Sequence, residues 1–387
     1  MIWDYRCTTL NSQAMKNFLL SLVLIGFNFV GFSQVHMKMN IGLKDTVLID
    51  KYEPIDNEFK VQHLKMAPGS HHFGNERAAE LLRKETIVAI DLVYSDYPQG
   101  ADFTELNKRR LIELYSALPD AFNRNIVSWR IVKQTGVAKT GGIQNYFHGF
   151  VIYYREMPTN YAENKLIQDI INGKTKPEDS TLLKVFERNK TEWKDMLVVC
   201  DVTGSMSPYT AQLLLWIKAN QKLRNMKDIV FFNDDDEKST NETVREDKTG
   251  MWSASSGDFK KVMEVATTAM KDGHHIENNL EAVCRAIKEF PDGKGKVIMI
   301  ADNWEDPCDM QLVSYLKAQK VPLRIIICGV NASINTNYLD LARATGGSVH
   351  TMEGDLTDLA TMGEGKKLKI GNAEVVLYNG KFYQTKK

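Results

Sequence analysis

Three oxygen-bearing side chains stand within five residues of one another: Asp201, Thr203 and Ser205, in the string Asp201-Val-Thr-Gly-Ser-Met206. One carboxylate and two hydroxyls are hard donors. They suit a hard divalent cation; Mg²⁺ keeps several waters and needs few protein oxygens. The same residue types are common in turns and helix caps, so any one of them alone has a purely structural explanation. The full string is more specific, because it closes a buried apolar run.

That run, Leu197 to Cys200, lies between Lys194-Asp195 and Asp201 and has the length and residue types of a buried parallel strand. After Pro208, Tyr209 to Lys218 reads as a helix. Strand, oxygen-rich turn and helix place the three side chains at the carboxyl end of a strand, where open α/β sheets bind ligands. Strands and helices then alternate. Asp228 to Asn233 is a strand ending in Asp234-Asp-Asp-Glu237, and Lys248 to Ser253 is a short edge strand. Helices are expected at 258–270, 277–289, 309–320 and 337–345. Gly295 to Asp302 and Pro322 to Gly329 are buried strands, and Gly346-Gly-Ser-Val-His-Thr351 is the last. This is the pattern of a parallel sheet covered on both faces.

The order and the Asp201–Met206 string resemble the von Willebrand factor type A fold, as does the closing Tyr338-Leu-Asp-Leu-Ala-Arg-Ala-Thr-Gly-Gly347. The resemblance covers residues 191–362. It implies an α/β, doubly wound, mostly parallel sheet of Rossmann-like kind with a metal-ion-dependent adhesion site. In that family three loops hold the cation. The first supplies Asp201, Thr203 and Ser205, and the last supplies Asp302. The middle loop departs from the pattern: counting back from Glu277, His274 stands where many members have a threonine. An imidazole ligand would tilt the site from Mg²⁺ toward Mn²⁺, Zn²⁺ or Ni²⁺ and would fail on protonation. A solvent-facing His274, with water or Glu277 in its place, is the alternative.

The rest of the chain is less informative. It has 387 residues, and its 49 lysines and arginines equal its 49 aspartates and glutamates. That balance removes any whole-chain argument for nucleic acid or an anionic membrane surface. Phe18 to Phe32 is apolar, follows Met15-Lys-Asn17 and ends in Gly31-Phe-Ser33, which reads as a secretory signal cleaved near Ser33. An uncleaved anchor is the alternative, and Met15 is a possible start. Export permits disulfides. Under the type A fold Cys200 and Cys328 lie two strand spacings apart, roughly 9–10 Å, too far to bridge. That leaves Cys284 and Cys308 as the candidate pair.

Residues 34–190 read as an α+β domain with strands at 46–49, 59–64, 86–94, 126–134 and 147–154 and a helix over 103–118. His71-His72 reads as an exposed loop, His148 as a partly buried strand histidine, and 166–180 as a connection before a helix at 182–190. Residues 363–387 read as three short strands with turns at Gly371-Asn372 and Asn379-Gly380, a tail placed against the N-terminal domain.

The expectation is an exported, non-enzymatic binding, adhesion or scaffold protein of periplasm or cell surface, not an integral membrane protein after signal cleavage. Its cation would take an acidic group of a protein partner, across a surface around Met206, Ser207, Trp304 and the 274–276 loop. Asp234-Asp-Asp236 reads as a solvated loop, with a second cation as the alternative. Two readings compete with the whole. One is a haloacid-dehalogenase-like phosphohydrolase with Asp201 as nucleophile and Asp302 with Asp306 on Mg²⁺. The other is a type A scaffold with a degenerate site.

Overall fold

Two sheets are built for different reasons. The first has five strands: β1 (Val47–Ile49), β2 (Lys60–Lys65), β3 (Thr86–Ser95), β4 (Ser128–Gln134) and β5 (Gly149–Arg155), in the order β1-β4-β3-β5-β2. β1, β4 and β3 are parallel, whereas β5 runs antiparallel to both β3 and β2. Helices α1 (Glu76–Leu82), α2 (Thr104–Ala117) and the short α3 (Asp120–Asn123) complete this layer. This computed structural model describes residues 46–54, 59–123, 126–137, 142–156, 158–233, 250–271, 278–330 and 333–385. The signal segment, Asp234-Asp-Asp236, His274 and Glu277 lie outside the described residues.

The second sheet has seven strands. They are β6 (Met196–Asp201), β7 (Met226–Phe232), β8 (Met251–Ser255), β9 (Val297–Asp302), β10 (Arg324–Cys328), β11 (Ser348–His350) and β12 (Asp355–Leu356). Their order is β12-β11-β10-β9-β6-β7-β8. β7, β6, β9, β10 and β11 are parallel, and the edge strands β8 and β12 are antiparallel. The chain winds outward from β6 to β8, then restarts at β9 on the other side of β6. The direction of winding therefore reverses between β6 and β9.

Period-two alternation divides these strands between two cores. Leu197, Val199, Val230, Phe232, Val297, Met299, Ile325 and Ile327 face one layer, with helices α8 (Asn279–Glu289), α9 (Val313–Ala318) and α10 (Thr336–Thr345). Val198, Cys200, Ile229, Phe231, Ile298, Ile300 and Ile326 face the other. That second layer holds α4 (Asn160–Ile171), α5 (Thr181–Asn189), α6 (Ser207–Asn220) and α7 (Phe259–Ala269). A sheet covered on both faces needs apolar residues at every position, and all six residues of β6 and of β9 are buried. The architecture is mixed α/β with parallel-rich sheets.

Three expectations change. α4 starts at Asn160, capped by the Thr159 hydroxyl, which accepts from the Ala162 amide, and Ile167, Ile170 and Ile171 enter the α6 core. The segment is a covering helix rather than a connection. The reason lies in α6, which buries nine of its residues on all sides, so the sheet alone cannot cover it. The tail, β13 (Lys367–Ile370), β14 (Ala373–Tyr378) and β15 (Lys381–Gln384), packs on the α10 layer of the second sheet, not on the N-terminal strands. Val375, Leu377 and Phe382 join that core, and the Phe382 amide donates to Asp340 Oδ1 at 2.8 Å. Cys284 and Cys308 are both free thiols: Cys284 is buried among apolar residues of α8, while Cys308 lies exposed and donates to Asn278 Oδ1.

Residues 46–385, where described, belong to one compact unit. The face of the first sheet that carries Val93, Val132, Val151 and Tyr153 also takes in Trp304, from the loop after β9.

Candidate metal centre

β6 delivers Asp201, fully buried, to the carboxyl end of the sheet. The chain then turns sharply. The Thr203 amide and hydroxyl both donate to Asp201 Oδ1 at 2.8 Å, and the Met206 amide donates to the Thr203 carbonyl. A single helical turn over Gly204–Met206 holds Ser205 and leads into α6, where Pro208 fits the first turn because no amide is needed there. Ser207 donates to the Gly204 carbonyl at 2.6 Å.

β9 lies beside β6, with Cys200 opposite Ile300, so Asp302 ends β9 two positions beyond the last pair of that ladder, opposite Cys328 of β10. Asp302 repeats the geometry of Asp201: its Oδ1 accepts from the amide two residues on, Trp304, at 3.0 Å. β9 also touches the 204–206 turn. The Cys328 thiol, at the end of β10, reports the crowding. It is pushed up first by burial and then by Asp179, Cys200, Asp302 and Asp201.

Asp201, Thr203, Ser205 and Asp302 are all buried, and all offer hard oxygen. The set suits a hard divalent cation, and the Thr203 hydroxyl spends its hydrogen on Asp201, which leaves its oxygen lone pairs for a metal. Asp302 Oδ2 is buried and accepts no hydrogen bond among the described residues. No three His, Cys, Asp or Glu side chains gather as a metal site among the described residues. A set of two carboxylates and two hydroxyls is a different kind of site.

Several neighbours were not visible in the sequence. Asp179, in the turn before α5, accepts from the Tyr209 hydroxyl at 2.7 Å and caps the Thr181 amide at 2.8 Å. Arg155, the last residue of β5, brings Nη1 to 3.6 Å from Asp302 Oδ2. Glu163 of α4 is buried against Ser207. In the sequence they are only a charged residue in a turn, at a strand end and in an amphipathic helix, and none of these is a signal by itself.

Trp304 is a correction. It is not a surface contact: it is 7% exposed and packs edge-on to Phe59, the residue before β2, ring centroids 5.7 Å apart. An indole in a polar loop buries its large apolar face wherever an apolar wall is in reach. Asp306 also turns elsewhere, accepting from the side-chain amides of Asn335 at 2.7 Å and Asn337 at 3.0 Å.

A second polar chain links Ser348 Oγ to His350 Nε2 at 2.7 Å and His350 Nδ1 to Asp355 Oδ1 at 2.8 Å. The geometry is that of a nucleophile relay, but its parts are engaged as structure. Asp355 also accepts from Arg188 and Asn189, and the Ser348 amide, which would face an oxyanion, donates to the Leu323 carbonyl. The chain ties β11, β12 and α5 together.

No family model matches this chain, and no curated protein matches it. Among the described residues no helix is long and apolar enough to cross a membrane.

Two buried acids give this region a pH dependence. Burial raises Glu163 from 4.5 to about 7, against the Ser207 hydrogen bond, and raises Asp309 from 3.8 to about 7, against the amides of Glu281 and Leu280 at the start of α8. The folded state thus keeps protons that the unfolded chain releases. Their stabilisation is complete below about pH 4 and is lost as pH rises to 7, on the order of 1–3 kcal/mol per group. Urea unfolding at pH 5 and pH 7.5 checks this. Glu163→Gln and Asp309→Asn are expected to shrink the difference between the two.

Proposed function

We propose that residues 191–362 form a von Willebrand factor type A domain in which Asp201, Thr203, Ser205 and Asp302 hold a divalent cation. Mg²⁺ is the first choice and Mn²⁺ the second. The protein works as an exported binding or scaffold protein rather than an enzyme, and the cation takes an acidic oxygen from a protein partner. One observation carries the reading. Two aspartates end adjacent buried parallel strands at the point where the winding reverses, each held by the amide two residues later. Such a crevice is where α/β sheets bind ligands. The antiparallel edge strand β8 and the order of the six strands from β8 to β11 support the same reading. With the Thr203 and Ser205 hydroxyls as direct ligands and Asp201 and Asp302 orienting coordinated waters, a bound cation stays electrophilic toward a carboxylate. His274 of the middle loop is a candidate fifth ligand.

The phosphohydrolase alternative is weakened by Asp306, whose Oδ1 serves Asn335 and Asn337. Calorimetric titration of the purified protein with MgCl₂ and MnCl₂ tests the metal reading. Saturable binding is expected, weakened at least about 30-fold in Asp201→Ala, roughly 2 kcal/mol, with the circular dichroism unchanged. No binding at millimolar cation, or binding unaltered by Asp201→Ala, overturns it. A retained site would then justify capture of partners bearing exposed acidic segments, with and without chelator.

A further inference from the structure

The carboxyl end of β9 is read by the other sheet of the same chain. Thr86 and Arg155 are cross-strand partners at one end of the β3–β5 pair. Arg155 reaches the last residue of β9 and Thr86 the loop after it. Arg155 Nη1 stands 3.6 Å from Asp302 Oδ2, and the Thr86 hydroxyl donates to Glu305 Oε1 at 3.1 Å. Between them Trp304 docks on Phe59. Alternate residues of β5, namely Val151, Tyr153 and Arg155, point the same way along the strand, so the face that holds the Trp304 cluster ends in a guanidinium.

The Arg155–Asp302 contact is a charge contact and not a hydrogen bond. Neither Arg155 Nη1 nor Asp302 Oδ2 makes one among the described residues, although both atoms are buried. An arginine kept only for structure would be expected to bond its carboxylate in a fork, as Arg130 does with Asp91. Arg155 instead supplies positive charge at a short distance from the carboxylate oxygen that a cation would use. Two positive charges cannot share that oxygen in a water-poor crevice without repelling one another.

We propose that Arg155 is a tethered counter-cation of the Asp201–Asp302 site, so that a divalent cation and the docked end of the five-stranded sheet compete for Asp302. This rests on the metal reading of the site. Arg155 thereby sets the cation affinity: binding requires the guanidinium to withdraw, and withdrawal frees the end of β5 and the loop 303–305 beside it. Metal occupancy and the fit between the two sheets are then linked, each weakening the other by the same factor.

The test is calorimetry with MgCl₂ and MnCl₂ on the full protein, comparing wild type, Arg155→Met, Arg155→Lys and the double variant Arg155→Met with Asp201→Ala. Arg155→Met keeps the aliphatic bulk of the stem and removes the charge. It is expected to bind about 10-fold tighter than wild type, about 1.4 kcal/mol, and to lose that binding in the double variant. Arg155→Lys is expected to stay near wild type, because it restores a cation at the same place. Hydrogen exchange gives an independent readout: in wild type, saturating Mn²⁺ is expected to speed exchange of the amides at the end of β5 and in 303–305. An Arg155→Met affinity equal to or below that of wild type overturns the competition while leaving the metal site intact. Absence of binding in wild type and Arg155→Met alike removes the metal site itself. The two failures are therefore separate.

Discussion

Asp91→Ala is expected to cost about 3–5 kcal/mol of stability, the usual scale for breaking a buried charge pair from one side. Asp91 sits in the middle of β3 and is 1% exposed. Its Oδ1 accepts from Arg130 Nε at 2.6 Å, and its Oδ2 accepts from Arg130 Nη2 and from the hydroxyls of Tyr52 at 2.6 Å and Tyr153 at 3.2 Å. Alanine strands a half-buried guanidinium in the sheet. The two tyrosine hydroxyls keep their 3.0 Å contact with each other but lose the carboxylate. Asp91→Asn keeps an acceptor oxygen and loses the charge, so it should fall between wild type and alanine. Urea unfolding of the three proteins, followed by tryptophan fluorescence, gives the order. Equal stability of Asp91→Ala and wild type would show that the network contributes nothing net. Because Tyr153 lies on the strand that ends in Arg155, the same variant should also loosen the contact with Trp304.

Gly347→Ala is the second large effect, again about 3–5 kcal/mol. A Cβ at this position would lie 1.8 Å from the Leu323 carbonyl oxygen and 2.6 Å from its carbon. Both are backbone atoms, and the Ser348 amide donates to that carbonyl, so neither side can yield without parting β10 from β11. The neighbouring glycine provides the comparison. Gly346 ends α10 in the left-handed region, φ 69°, with nothing within 4 Å of a new Cβ. Gly346→Ala therefore costs only the conformational term, about 1–2 kcal/mol. Parallel denaturation curves would read the difference directly. A smaller loss for Gly347→Ala than for Gly346→Ala would contradict the close approach. The variant also bears on the site, because β10 pairs with β9 along its length and Cys328 lies opposite Asp302.

Local pattern carried much of this protein. The apolar runs at β6, β7, β9 and β10 announce strands buried on both faces, since no residue type in them tolerates water on either side. The acids that close β6 and β9 stand out against those runs, which is why Asp201 and Asp302 were legible along with Thr203 and Ser205. The tail strands and their Gly371-Asn372 and Asn379-Gly380 turns were legible as well, because positive φ at Gly371, Asn379 and Gly380 is a local requirement. α4 has a local signal as well. An α6 apolar on every side demands a second layer, and Thr159 is a helix cap.

Tertiary structure alone decided what covers what. Trp304 in a polar loop is compatible with solvent, a partner or an internal wall, and only the approach of the first sheet makes Phe59 its neighbour. Arg155 ends a strand like any surface arginine, and its role depends on a pairing register that sets it opposite Thr86 and within reach of Asp302. Asp179 and Tyr209 are thirty positions apart and meet only when α5 folds over α6. Sequence fixes a side chain's chemistry and its face on its own element, because both follow from a few neighbouring residues. The partner across an interface comes from summed burial over whole layers, which no short stretch of chain records.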